Sequence, residues 1–72
     1  MNEDNKLDLV AEILEVDSIK SDDMLDNYEM WDSMAVLSVL AMLEESFNVI
    51  DVSGETISKC KTVKQILNLM EN

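Results

Sequence analysis

A chain with no proline and a single glycine, Gly54, has almost nothing in it to interrupt a helix, and this most constrains what its 72 residues can become. The apolar spacing agrees. From roughly Asp4 to Val16, the residues Leu7, Val10, Ala11 and Leu14 recur at helical spacing, with Leu9, Ile13 and Val16 widening the stripe. Glu3, Asp4 and Asp8 near its start suit the positive end of a helix dipole. From about Asp17 to Asp32 the periodicity breaks: DSIKSDD is followed by MLDNYEMW, with Ile19, Met24, Leu25, Tyr28 and Trp31 at no clean period. A connection of roughly 16 residues is far longer than most helix–helix links. Its apolar anchors predict a packed, functional loop rather than a linker.

A second helix is predicted from Asp32 or Ser33 to about Phe47. On a wheel of about 100° per residue, Val36, Leu40, Leu43 and Phe47 share one face, flanked by Leu37 and Val39, and that face is expected to be core. The opposite side, with Met34, Ala35, Ser38, Ala41, Met42 and Glu45, is unusually apolar for a surface. After NVID, the segment SGETISK predicts a short helix capped by Ser53 with Ile57 turned inward. Thr62 to Gln65 matches a capping box, in which a hydroxyl and an amide satisfy each other's free backbone donors. It opens a last helix with Val63, Ile66, Leu67 and Met70 as its buried stripe. The expected fold is all-α: one domain over 1–72, a four-helix bundle of three main helices and one short one, with a long loop between helices one and two.

The net charge of −11 argues against nucleic acid and anionic membrane surfaces, and favours partners with basic docking patches. One cysteine, Cys60, excludes an internal disulfide, and without histidine no ordinary zinc cluster can be assembled. Cys60 is expected as a small buried or half-buried residue. No charged leader and no apolar run near 18 residues is present, so a cytoplasmic setting without an integral membrane segment is expected. Residues 22 to 33 lack the central glycine and terminal glutamate of a calcium loop.

Ser33 raises the functional question. It lies between Asp32 and a long apolar run, where an Asp-Ser pair ordinarily caps a helix. Hydrolytic catalysis is a poor reading, because a serine nucleophile needs a base in reach and the chain has no histidine and five lysines. The order of elements changes the weight of the pair. Asp32-Ser33-Met34 opens helix two after a long acidic loop, LEESF closes it at Leu43 to Phe47, SGETI follows, and KTVKQIL at 61 to 67 opens the last helix. Taken together these resemble the acyl carrier protein family over nearly the whole chain, with Met34 a conservative replacement for leucine.

The resemblance implies a non-enzymatic, acyl-carrier-type four-helix bundle whose serine receives 4′-phosphopantetheine from coenzyme A. Such a carrier bears acyl or aminoacyl groups as thioesters on the arm's terminal thiol. A phosphopantetheinyl transferase and its Mg²⁺ would activate Ser33, so this chain needs no base of its own. Asp32 is expected to assist transferase docking or to cap the helix. Further partners would be an acyl-loading ligase or synthetase and acyltransferases, met by a monomeric carrier.

The chain departs from fatty-acid carriers, which show several acids along the exposed face of helix two. Here Ala35 and Ser38 stand near the serine, and Glu44 and Glu45 remain at the far end. With Met34, Ala41 and Met42 they suggest a more apolar partner surface and a specialised pathway. The MWDS approach is similar to stand-alone bacterial carriers of surface-glycan or secondary-metabolite acylation, and Asp-Ser-Met to D-alanyl carriers. Leu40, Leu43, Ile57 and Ile66 are candidates to line an acyl pocket opening between the helices. The rival reading is an acidic interaction module, an inhibitor or nucleic-acid mimic, in which Ser33 is only a cap.

Overall fold

The computed structural model describes residues 2–70, so the ends of the expected 1–72 domain, residues 1, 71 and 72, lie outside the described residues. Four α-helices follow one another: α1 (Glu3–Ile13), α2 (Ser33–Phe47), α3 (Gly54–Ser58) and α4 (Val63–Leu69). A single turn of 3-10 helix, Leu25–Asn27, interrupts the long connection. Among the described residues there is no strand, and no helix is long and apolar enough to cross a membrane. The chain is therefore the all-α four-helix bundle its spacing predicts.

Each helix starts on a side chain that accepts a backbone proton. Asn2 takes the Asn5 amide, Asp32 that of Ala35, Ser53 that of Thr56 and Thr62 that of Gln65. These are donors that the first turn of any helix leaves without an internal partner. The capping box at Thr62–Gln65 forms in both directions. Helix α1 stops at Ile13, short of Val16, because Glu15 turns to a left-handed φ of 58° and the Val16 amide closes back on Ala11. Helix α2 ends at Asn48 in the same left-handed region, with φ of 56°, and the Val49 amide reaches the Leu43 carbonyl at 2.9 Å.

The core gathers Val10, Ala11 and Leu14 of α1, Val39 and Leu43 of α2, Ile57 of α3, and Val63, Ile66, Leu67 and Met70 around α4. Fully burying a Leu, Ile or Val side chain contributes about 1.5–3 kcal/mol, and eight large side chains here are essentially inaccessible. The stripes expected on α1 and α4 are the ones turned inward, with Leu7, at the start of the α1 stripe, only half-buried. On α2 the core face needs correction. Ala35, Val39, Met42 and Leu43 are buried, Val36, Leu40 and Phe47 are half-buried, and Leu37 is 57% exposed. The inward face is rotated by roughly 85° on the wheel from the one expected. The reason is that α3 packs on one flank of α2 and α1 on the other, so the buried arc centres between the two neighbours rather than on the bulkiest residues.

The long connection is packed. Leu25 is wholly buried, Ile19 nearly so, and Tyr28 and Trp31 lie half-buried against the core. Its backbone is tied to the start of α4: Leu25 N–H donates to Lys61 O at 2.9 Å, Val63 N–H to Asp23 O at 3.0 Å and Lys64 N–H to Ser21 O at 2.8 Å. An isolated antiparallel bridge pairs Met24 with Thr62 at the same point.

Candidate functional site

The end of this loop delivers Ser33 to the first position of α2, with its side chain exposed. Of the amides in the first turn, Ala35 N–H donates to Asp32 Oδ1 at 3.0 Å and Val36 N–H to Asp32 O at 3.0 Å. Those of Ser33 and Met34 have no intrahelical acceptor. The acid at this helix end is the N-cap Asp32, whose carboxylate takes the Ala35 amide, and none stands inside the first turn itself. The site is thus an exposed hydroxyl beside two donors that take no partner among the described residues, which suits an anionic group. The sequence supplies no histidine or arginine, and its five lysines lie at 6, 20, 59, 61 and 64, none within the loop–helix junction from Tyr28 to Val36.

The approach to Ser33 is held by the loop. Tyr28 Oη–H donates to Asp23 Oδ2 at 2.7 Å, and Lys20 N–H donates to the same oxygen at 2.9 Å. The Tyr28 hydroxyl, and then the Lys20 amide, hold the Asp23 carboxyl below its ordinary value, while the bond to Asp23 pushes the Tyr28 phenol up. On the other side, α3 begins beside the first turn of α2: a carbon added at Gly54 would lie 3.8 Å from Val36 Cγ1.

Of the residues expected on the partner surface, Ser38, Ala41, Glu44 and Glu45 are exposed, and Met34 is 67% exposed. Ala35 and Met42 are corrected. They are 5% and 9% exposed, because both fall on the inward arc of α2, and neither belongs to an exposed patch. The apolar residue that the sequence reading missed is Leu37. It continues the spacing of Met34 toward Ala41, a three-then-four step that could have marked an outward stripe.

The four pocket candidates come together in one cluster. Leu43, Ile57 and Ile66 are fully buried in it, and Leu40 packs against it half-buried. Cys60 is buried as expected. Burial pushes its thiol up, and its Sγ–H makes only a long contact of 3.7 Å to Thr56 O, so it is poorly suited to be a nucleophile.

A family model described as "Phosphopantetheine attachment site" matches residues 7–70, which takes in all of α2, α3 and α4 and most of α1. No curated protein and no solved structure matches the chain.

Proposed function

The chain belongs to the phosphopantetheine-attachment family of carrier proteins, and from that premise we propose that Ser33 is the residue that takes the 4′-phosphopantetheine. The chain then carries acyl or aminoacyl groups between the enzymes of a specialised pathway. The observation that carries this is the first turn of α2, an exposed Ser33 hydroxyl with the Ser33 and Met34 amides open beside it and no acid within the turn. Those features fit a phosphodiester: the two open amides favour its charge, and exposure admits a modifying enzyme. The attached group supplies a terminal thiol on which cargo is held as a thioester. The protein's own part is to present the hydroxyl, hold the adjoining charge, and offer a surface that partners recognise. Hydroxyl activation falls to the transferase and its Mg²⁺.

Met34, Leu37, Ser38 and Ala41, ending in Glu44 and Glu45, form the surface on which we place those partners. Its near half is apolar and uncharged, and this supports a specialised pathway rather than housekeeping fatty acid synthesis. Asp32 caps α2 through Ala35, and its exposed carboxylate can still meet a transferase.

The test is intact mass after incubation with coenzyme A, Mg²⁺ and a promiscuous phosphopantetheinyl transferase, alongside Ser33→Ala. A gain of one phosphopantetheine in the parent chain alone is the expected result. An equal gain in Ser33→Ala would move the attachment point elsewhere. No gain with two unrelated transferases on folded protein would favour the acidic interaction module, in which Ser33 is merely the first residue of α2 behind its cap, Asp32.

A further inference from the structure

An open groove of about 540 Å³ runs between α1 and α2, on the flank of α2 that faces away from α3. Its floor is apolar, made by Leu9 and Ile13 of α1 with Ala41 and Met42 of α2. Its rim is acidic, made by Glu12, Glu15 and Glu45. We infer that this groove is a docking site for a basic amphipathic helix of a partner protein.

Three observations carry the inference. The groove is open to solvent and lies between two helices, the setting in which an amphipathic helix can lay an apolar face. The three rim carboxylates are exposed and without an ion-pair partner among the described residues, and no lysine lines the groove. An acidic rim around an apolar floor is complementary to a partner that is apolar on one face and basic at its edges. The third observation is Glu15 itself, which holds a left-handed φ of 58° at the end of α1. That conformation is cheap for glycine or asparagine and costly for glutamate, and the equivalent end of α2 uses Asn48. A glutamate kept there at a cost in stability, with its side chain on the rim, points to a use for the carboxylate.

The same chemistry selects the occupant. A second copy would bring another −11 to the rim, and nucleic acid or an anionic membrane would be repelled in the same way. An uncharged apolar ligand would make no use of the rim. A helix with leucines at i, i+3, i+4 and i+7 fills the floor, and flanking lysines or arginines reach the rim. The groove shares Ser38, Ala41 and Glu45 with the partner surface placed above but does not reach Ser33, and Ser33→Ala should leave this docking unchanged.

Methionines provide the reporters, since Met42 lies in the groove while Met24, Met30 and Met34 are exposed outside it. The full chain, labelled at its methionine methyls, would be titrated with a synthetic amidated helix of leucine and lysine at that spacing, and with a version carrying glutamate for lysine. The expected result is a saturable shift of the Met42 methyl with the lysine peptide only. Glu12→Lys with Glu45→Lys should weaken binding about tenfold, whereas Asp22→Lys with Asp26→Lys, an equal change of charge outside the groove, should not. Glu15→Gly should weaken binding while the melting temperature holds or rises. A shift at Met34 in place of Met42, equal weakening by both charge-reversed pairs, or no saturable binding would overturn the inference. So would a Met42 shift that grows with protein concentration alone, which would place a second copy in the groove.

Discussion

Helices α2 and α4 begin on the same device, a polar side chain accepting the amide three residues on, yet their first turns are left in opposite states. At α4 every early donor is used: Gln65 Oε1 takes the Lys61 and Thr62 amides, Asp23 O and Ser21 O take those of Val63 and Lys64, and Thr62 Oγ1 takes that of Gln65. At α2, Asp32 supplies both acceptors, and the amides of Ser33 and Met34 stay open. The closed start is structural and the open one is available to a ligand. What distinguishes them is the loop, which spends its carbonyls on α4 and leaves α2 bare.

The sharpest way to break this comparison is at Ser33. Ser33→Ala should abolish attachment of phosphopantetheine in the mass assay, while the melting temperature moves by no more than about 2 °C, since the exposed hydroxyl caps nothing. Next in size is the loop anchor. Leu25→Ala removes a wholly buried side chain and should cost about 2–4 kcal/mol in urea unfolding, loosening the contact that closes α4.

The caps themselves come third. Asp32→Ala should cost about 1 kcal/mol, whereas Thr62→Ala should cost about 0.5 kcal/mol, because loop carbonyls still hold the Val63 and Lys64 amides. Asp32→Asn sharpens the reading by keeping the cap and removing the charge. Unchanged stability with slower phosphopantetheine transfer would assign the carboxylate to docking, and an unchanged rate would leave it a cap.

The smallest effect is at Asp23 and Tyr28. With the carboxyl held below its ordinary 3.8, the stability that this bond contributes is present above that pH and lost as pH falls through the folded value. With the phenol pushed above its ordinary 10.0, the same bond's contribution is present below pH 10.0 and lost as pH rises through the folded value. In Tyr28→Phe, the Asp23 carboxyl should titrate closer to 3.8 by NMR, and the alkaline loss should disappear.

The helices were legible because their signals are local. The caps at Ser53 and Thr62 and the stripe of Val63, Ile66, Leu67 and Met70 need no knowledge of the rest of the chain. The facing of α2 was not legible. Apolar residues lie around so much of its circumference that Val36, Leu40 and Phe47 made as good a stripe as Ala35, Val39 and Met42, and only the positions of α1 and α3 decide between them. Ser33 could be picked out because the order of elements around it is distinctive. The open amides beside it could not, since backbone carbonyls such as those of Ser21 and Asp23 carry no residue signature.

The strap from Ser21 to Leu25 also sets an order of events during synthesis. Its partners, Lys61 to Lys64, are made some forty residues later, and until they emerge the carbonyls of Ser21 and Asp23 have nothing to hold. A nascent chain paused after α2 would display Ser33 on an approach that has not yet set. The hydrogen bonds that fix the strap therefore exist only once the segment from Lys61 onward is made.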